Sequence, residues 1–241
     1  MKIGLCLVTL NEIEGCKLDV PRLPREGFEE VFAVDGGSTD GTAEYLRSQG
    51  ITVYEQDLRG YNGAYITAFR RCRADALVLF HPKGTIDPRE TLRFRAHFDA
   101  GAQLVVSSRV VRGGRNEEDS KLLRPRKWST MSLALLSAAL WRREGPMVWD
   151  ILHGFRGVSR SGFFAIDPLP HGLSIDLELV VRAYRLGLRR VEFPVFESSR
   201  QSGTTHFKAL PTGKRLLRYL AFELGRSAVP VEAPHPSSDR G

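Results

Sequence analysis

The chain has 241 residues, 42% hydrophobic and 26% charged, which excludes a disordered or fibrous protein and favours one main domain with a sizeable core. A formal charge of +7 favours anionic partners such as phosphorylated small molecules or anionic lipid; nucleic acid ranks last, because no nucleic-acid motif accompanies the charge. Cys6, Cys16 and Cys72 have no ligand-like spacing, so reduced thiols in a cytoplasmic protein are expected and a zinc site is not.

Ile3 to Leu10 reads as a first strand, with no basic n-region of a signal peptide before it. Asn11 to Lys17 is a loop or short helix. Val31 to Val34 is a second, buried strand, ended abruptly by Asp35, Gly36, Gly37 and Ser38. A helix over Thr42 to Ser48 follows, capped by Asp40 or Thr39. Ile51 to Tyr54 is the third strand, a Gly-containing turn then opens a helix carrying Ala64, Ile66, Ala68 and Phe69, and Ala76 to Phe80 is a buried strand. Asp87 and Pro88 open the next helix, and Gln103 to Ser108 is another strand, ended by Arg109. Alternation of this kind predicts an α/β fold with a Rossmann-like, mostly parallel sheet flanked by helices. In such sheets the ligand crevice lies outside the carboxyl ends of the strands, which makes Asp35 the first candidate site residue.

Arg112 to Arg126, polar and basic, predicts a mobile loop over the site. Lys127 to Arg143 predicts a helix with two readings, one lying on a membrane surface and one packed on the sheet. The longest apolar run, Met131 to Trp141, is shorter than the roughly 20 residues that span a bilayer. Leu216 to Gly225 is an amphipathic C-terminal helix, and the Pro-rich tail beyond it is expected to be disordered. The domain division read from this pattern is 1–210 for the main domain, 211–228 for the helix and 229–241 for the tail.

V-D-G-G-S-T-D-G-T at Val34 to Thr42, preceded by V-T-L-N-E at Val8 to Glu12, resembles the nucleotide-sugar signature of family 2 glycosyltransferases, whose fold is GT-A; Gly36 stands where the usual loop has a second Asp. D-I-L-H-G-F-R-G-V-S at Asp150 to Ser159 resembles the D-x-x-S-G-F-R segment of the branch containing dolichol-phosphate mannose synthase and its bacterial polyprenyl-phosphate relatives, with His153 at the Ser position. Ser174 to Gly187 resembles that branch's acidic helix, Val191 to Val195 its following strand, and Arg200 to Thr205 its R-x-x-G-x-S loop.

The resemblance implies an inverting transfer of a sugar from a UDP- or GDP-sugar to an acceptor, plausibly a polyprenyl phosphate at the inner membrane face, by a peripheral protein. It assigns Val8, Thr9, Glu12 and Asp35 to the base and ribose, His81 and Lys83 to the diphosphate, and Arg109, Arg200 and Thr205 to the acceptor phosphate. Lys83, Arg109, Arg200 and Asp176 are the catalytic candidates, with Asp176 or Glu178 as base if the acceptor is a hydroxyl. The family's Asp-x-Asp, which holds Mg²⁺ or Mn²⁺ against the diphosphate, is here His81, Pro82 and Lys83. Mg²⁺ prefers hard oxygen ligands, so no metal site is expected here, and Lys83 is expected to supply the positive charge instead. Two alternatives stand beside this reading: a non-catalytic GT-A domain that binds a nucleotide or a partner, and a nucleotidyltransferase, whose Gly-rich opening loop is missing.

Overall fold

The computed structural model describes residues 1–116, 119, 124–199 and 209–226. Among the described residues, seven strands form one sheet in the order β3-β2-β1-β4-β6-β5-β7. They are β1 Ile3–Thr9, β2 Glu30–Asp35, β3 Thr52–Glu55, β4 Ala76–Phe80, β5 Leu104–Ser108, β6 Arg156–Ser159 and β7 Arg190–Pro194. Six run in one direction and only β6 is reversed, pairing antiparallel with both β4 and β5. The expectation of a mostly parallel sheet is met. β6 itself was not anticipated, because R-G-V-S is short, carries a buried charge and contains a glycine. That glycine is required by packing: a Cβ at Gly157 would come within 2.7 Å of the Phe98 ring and 2.8 Å of the Phe94 ring.

β4 is buried at all five positions, as a strand covered on both faces should be, and A-L-V-L-F accordingly shows no polar alternation. β1 divides its side chains by the two-residue period of a strand: Cys6 and Val8 join one core cluster, Ile3, Leu5 and Leu7 the other. On the first face pack α3 Tyr61–Arg71, α5 Pro125–Trp141, α6 Arg160–Ile166, α7 Ile175–Arg185 and α8 Ala209–Gly225. On the second lie α1 Ile13–Asp19, α2 Thr42–Ser48 and α4 Phe94–Asp99. Phe69 of α3 stacks on Phe163 of α6 with ring centroids 3.7 Å apart.

The predicted elements sit close to their observed places, with instructive shifts. Asp87 and Pro88 open a 3₁₀ turn over Pro88–Arg93, with Asp87 accepting from the Arg89 amide, before α4 begins. α8 starts at Ala209, seven residues ahead of Leu216, and is not a loose appendage. Leu216, Tyr219 and Leu220 enter the main core, and buried Glu223 accepts from Arg182 at 3.3 Å and from Arg185 at 2.8 Å on α7. The described residues include no helix long and apolar enough to cross a membrane. The predicted loop at 112–126 falls partly, and the predicted tail at 229–241 wholly, outside the described residues. All three cysteines are buried and unpaired with one another.

Candidate active site

Because only β6 is reversed, the carboxyl ends of β1, β2, β4, β5 and β7 and the start of β6 share one edge of the sheet. Every candidate residue within the described part, apart from Asp176 and Glu178 on α7, ends or follows one of these strands. Asp176 reaches the same edge from the first turn of α7. Arg200 and Thr205 lie outside the described residues.

At the β1 and β2 ends the chain builds a hydrogen-bonded cradle. Asp35 is buried, and its Oδ1 accepts from Thr9 Oγ1 at 2.9 Å and Ser38 Oγ at 2.6 Å. Its Oδ2 accepts from the amides of Gly37 at 3.0 Å and Ser38 at 2.7 Å. With two donors on each oxygen, this carboxylate is occupied in holding the loop, so a ligand would meet the loop that Asp35 shapes. Asn11, in the left-handed region at φ 53°, accepts from the Thr39 amide at 2.8 Å and gives its own amide to Ser38 Oγ at 2.8 Å. Asp40 accepts from the Thr42 amide at 3.0 Å, one residue outside the actual N-cap Gly41, so the expected cap residue acts from a neighbouring position. Val8, Thr9 and Glu12 are buried along the same edge.

The β4 and β5 ends open into a cavity of about 500 Å³. His81, Lys83, Arg109, Asp150, His153, Asp176 and Glu197 line it, together with residues of α5 and α8. Arg109 gives Nε to Asp150 Oδ2 and Nη2 to Asp150 Oδ1, both at 2.8 Å, and Nη1 to Glu197 Oε2 at 3.0 Å. Burial works against each charge in this group but is outweighed by the pairing, which holds Asp150 and Glu197 below the ordinary carboxylate range and Arg109 firmly cationic. One arginine is thus shared by two carboxylates, and its charge is spent within the protein. His153 approaches Ser107 O at 2.7 Å through Nδ1; burial first and Arg109 second push its pKa down to about 4, so the ring is neutral at pH 7.

His81 is likewise held neutral, by burial and then by the nearby Lys83 charge, and its Nε2 lies 3.0 Å from the Tyr61 hydroxyl. Asp176 is bound by Arg156 Nε at 3.2 Å and Tyr65 at 3.4 Å, and burial raises its pKa. Glu178, the other proposed base, is fully buried; it accepts from Asn62 at 2.8 Å, Ser174 Oγ at 2.5 Å and the Leu169 amide at 2.8 Å, and so has a structural task.

Several lining residues escaped the sequence reading. Arg126, Lys127 and Thr130 open the cavity from the first turns of α5, with Lys127 paired to Asp119 at 2.8 Å. Leu133, Leu152, Leu173, Leu216 and Leu217 give the space an apolar wall. Glu197 follows β7 with no motif around it, and only the demand of a buried arginine for a second carboxylate could have pointed to it. Both readings of the α5 helix have a face in the structure: Thr130, Ala134, Ser137, Ala138 and Trp141 are buried, while Trp128, Leu135 and Leu136 are exposed.

One edge of the sheet thus carries a hydrogen-bonded loop at the β1 and β2 ends beside a cavity at the β4 and β5 ends. The model of the family described as "Glycosyl transferase family 2" matches residues 13–164, and the chain belongs to that family. It is 28% identical over 220 residues to an undecaprenyl-phosphate mannosyltransferase of Micrococcus luteus, covering 84% of this chain and 86% of that one. To a polyprenol monophosphomannose synthase of Mycolicibacterium smegmatis it is 28% identical, covering 82% of this chain and 77% of the other. Glycosyltransferase AglJ of Haloferax volcanii is 24% identical over 83% of this chain, which spans 65% of AglJ's length. Among solved structures, glucosyl-3-phosphoglycerate synthase of Mycobacterium tuberculosis in complex with phosphoglyceric acid superposes with a TM-score of 0.75 at 20% identity, covering 94% of this chain and 81% of that one. A further structure of that synthase, in complex with Mn²⁺, UDP-glucose and phosphoglyceric acid, gives 0.69 at 20% identity over 94% and 80% of the two chains. The fold is that of the GT-A glycosyltransferases, and the chain is a glycosyltransferase of family 2.

Proposed function

We propose that this glycosyltransferase moves a sugar from a nucleotide-diphosphate donor onto a polyprenyl phosphate. The observation that carries the reading is the composition of the cavity: basic residues Lys83, Arg126 and Lys127 line it together with Leu133, Leu152, Leu173, Leu216 and Leu217. A phosphate on an isoprenoid chain joins the same two characters, and two of the relatives are named for polyprenyl phosphates.

A phosphate acceptor is already ionised at neutral pH. Its oxygen attacks the anomeric carbon, the bond from that carbon to the donor's diphosphate breaks, and the nucleoside diphosphate leaves with the bonding pair, so no general base is needed. The work left to the protein is alignment and stabilisation of the leaving charge. Trp128, Leu135 and Leu136 on α5 and Leu217 and Leu224 on α8 are exposed near Arg126, Arg215 and Arg218, a pattern suited to resting on an anionic lipid surface. A hydroxyl acceptor is the second reading, favoured by Asp176, whose carboxylate lines the cavity with a raised pKa.

Incubating the protein with radiolabelled UDP- and GDP-sugars and polyprenyl phosphate in anionic liposomes tests the proposal. Transfer of label into the lipid fraction is expected, with liposome binding that salt reverses. Label that moves only to a soluble hydroxyl acceptor would replace the first reading with the second.

A further inference from the structure

The nucleotide cradle and the cavity are neighbours because β1 lies between β2 and β4. A donor whose nucleoside rests at the β1 and β2 ends must therefore carry its diphosphate across the residues that follow β4, which are His81, Pro82 and Lys83. His81 marks the crossing itself: it follows Phe80, which pairs with Leu7 of β1, and it lines the cavity.

The groups at this crossing do not suit a divalent cation. His81 Nε2 already faces the Tyr61 hydroxyl at 3.0 Å, and a Cβ placed on Gly154 would come within 2.8 Å of that nitrogen and 2.4 Å of the Tyr61 oxygen. Tyr61 and the Gly154 backbone thus crowd the Nε2 side of the ring, where an ion bound to that nitrogen would have to sit about 2 Å away. The nearby carboxylates are also engaged, Asp150 and Glu197 by Arg109 and Asp176 by Arg156. Among the described residues there is no group of three or more His, Cys, Asp or Glu side chains placed to hold a metal.

What the crossing does contain is an ammonium on a firmly held loop. The amide of Gly84, which adopts φ 68°, donates to buried Asp19 Oδ2 at 2.8 Å. α1 is pressed against the loop from below, since a Cβ on Gly15 would lie 2.2 Å from the Pro82 carbonyl oxygen. Lys83 is therefore presented to the cavity from a backbone with little freedom to shift. Preorganisation of this kind lets a fixed charge act on a departing diphosphate without reorganising.

The structure assigns Lys83 the task of neutralising the donor's diphosphate, with His81 as a positioning residue held by Tyr61, so that the donor is bound and its diphosphate released without a divalent cation. The assignment rests on the nucleotide-diphosphate donor of the proposed function and is independent of its acceptor.

Calorimetric titration of UDP and GDP into the wild-type protein, in EDTA and in Mn²⁺, reads it directly. The preferred nucleotide should bind equally in both buffers, within about twofold. Lys83→Ala should weaken that binding by ~10-fold or more, on the scale of one charge-assisted hydrogen bond, with an unchanged Tm, while Lys83→Arg retains most of it. The paired substitution His81→Asp with Lys83→Asp should make binding depend on Mn²⁺. Wild-type affinity that vanishes in EDTA and returns with Mn²⁺ would overturn the assignment, as would Lys83→Ala binding like wild type. Metal-free nucleotide binding without transfer to polyprenyl phosphate supports this assignment and removes only the lipid acceptor; failure of both nucleotides to bind in either buffer removes the donor reading and this assignment with it.

Discussion

Asp35 at the end of β2 and Asp150 on the approach to β6 are both buried, and the two are used in opposite ways. Asp35 is surrounded by neutral donors, two hydroxyls and two amides, which fix a loop without adding charge. Asp150 faces a guanidinium that it shares with Glu197, so its region is a cluster of charges held together by their mutual attraction. Neutral donors give a cradle that is insensitive to its ionic surroundings, which suits recognition of an uncharged base and ribose. A shared ion cluster commits the arginine's charge to two carboxylates. The contrast teaches that counting arginines in a cavity overstates its attraction for anions.

The largest expected effect separates the two aspartates by the cost of removing them. Asp150→Ala leaves Arg109 with one carboxylate in place of two in a buried setting and should cost about 3 kcal/mol in urea unfolding. Asp35→Ala leaves two hydroxyls and two amides without their acceptor, and about 2 kcal/mol is expected because part of that loop can turn to water. Nucleotide affinity should fall with Asp35→Ala, whereas Asp150→Ala should disturb the acceptor side first. Equal losses for both ligands in both variants would break the distinction.

Acid sharpens the comparison through the histidine beside Asp150. His153 titrates at about 4 in the folded protein against an ordinary value of 6.5, so as pH falls through that interval the unfolded chain takes up a proton that the folded chain refuses. Stability should therefore drop between pH 6.5 and pH 4 and level off below, by about 2 kcal/mol from pH 7 to pH 5 for this residue, with His81 acting in the same direction. His153→Ser should flatten that slope, as measured by unfolding across the interval; an unchanged slope would mean that the ring is not what sets it. The smallest effect belongs to the cradle: Gly36→Ala brings a Cβ to 3.3 Å from the exposed and movable Leu10 side chain, and the cost should stay below about 1 kcal/mol.

How much of this was readable in advance follows from how local each signal is. The A-L-V-L-F run of β4 declares a strand covered on both faces, and T-A-E-Y-L-R-S declares α2 at its observed limits, because both depend on near neighbours in the chain. The edge that gathers Asp35, His81, Lys83 and Arg109 was legible too, since strand ends in a parallel sheet point one way. What stayed hidden depends on partners distant in sequence. Arg156 reads as an exposed charge until its contacts with the His153 and Asp176 carbonyls and the Asp176 carboxylate bury it. Tyr61 reads as a helix residue until His81, twenty positions on, meets its hydroxyl. Asp35 was legible as a site position, but its saturation by four donors was not, because the loop's hydroxyls and amides had no assigned direction.

The reversed strand β6 also governs how the molecule can assemble. Without it the sheet is two pieces, β3-β2-β1-β4 and β5-β7, with no ladder between them. Four residues, Arg156 to Ser159, close the seam by pairing with β4 on one side and β5 on the other. Until they arrive, β4 carries an open apolar edge, the kind that recruits strands from other chains. The pairing is distant in sequence, so it should form late and slow the folding of the whole. The cavity straddles the same seam, taking Lys83 from one piece, Arg109 from the other and Asp150 and His153 from the approach to β6, so a half-folded chain has a sheet but no site.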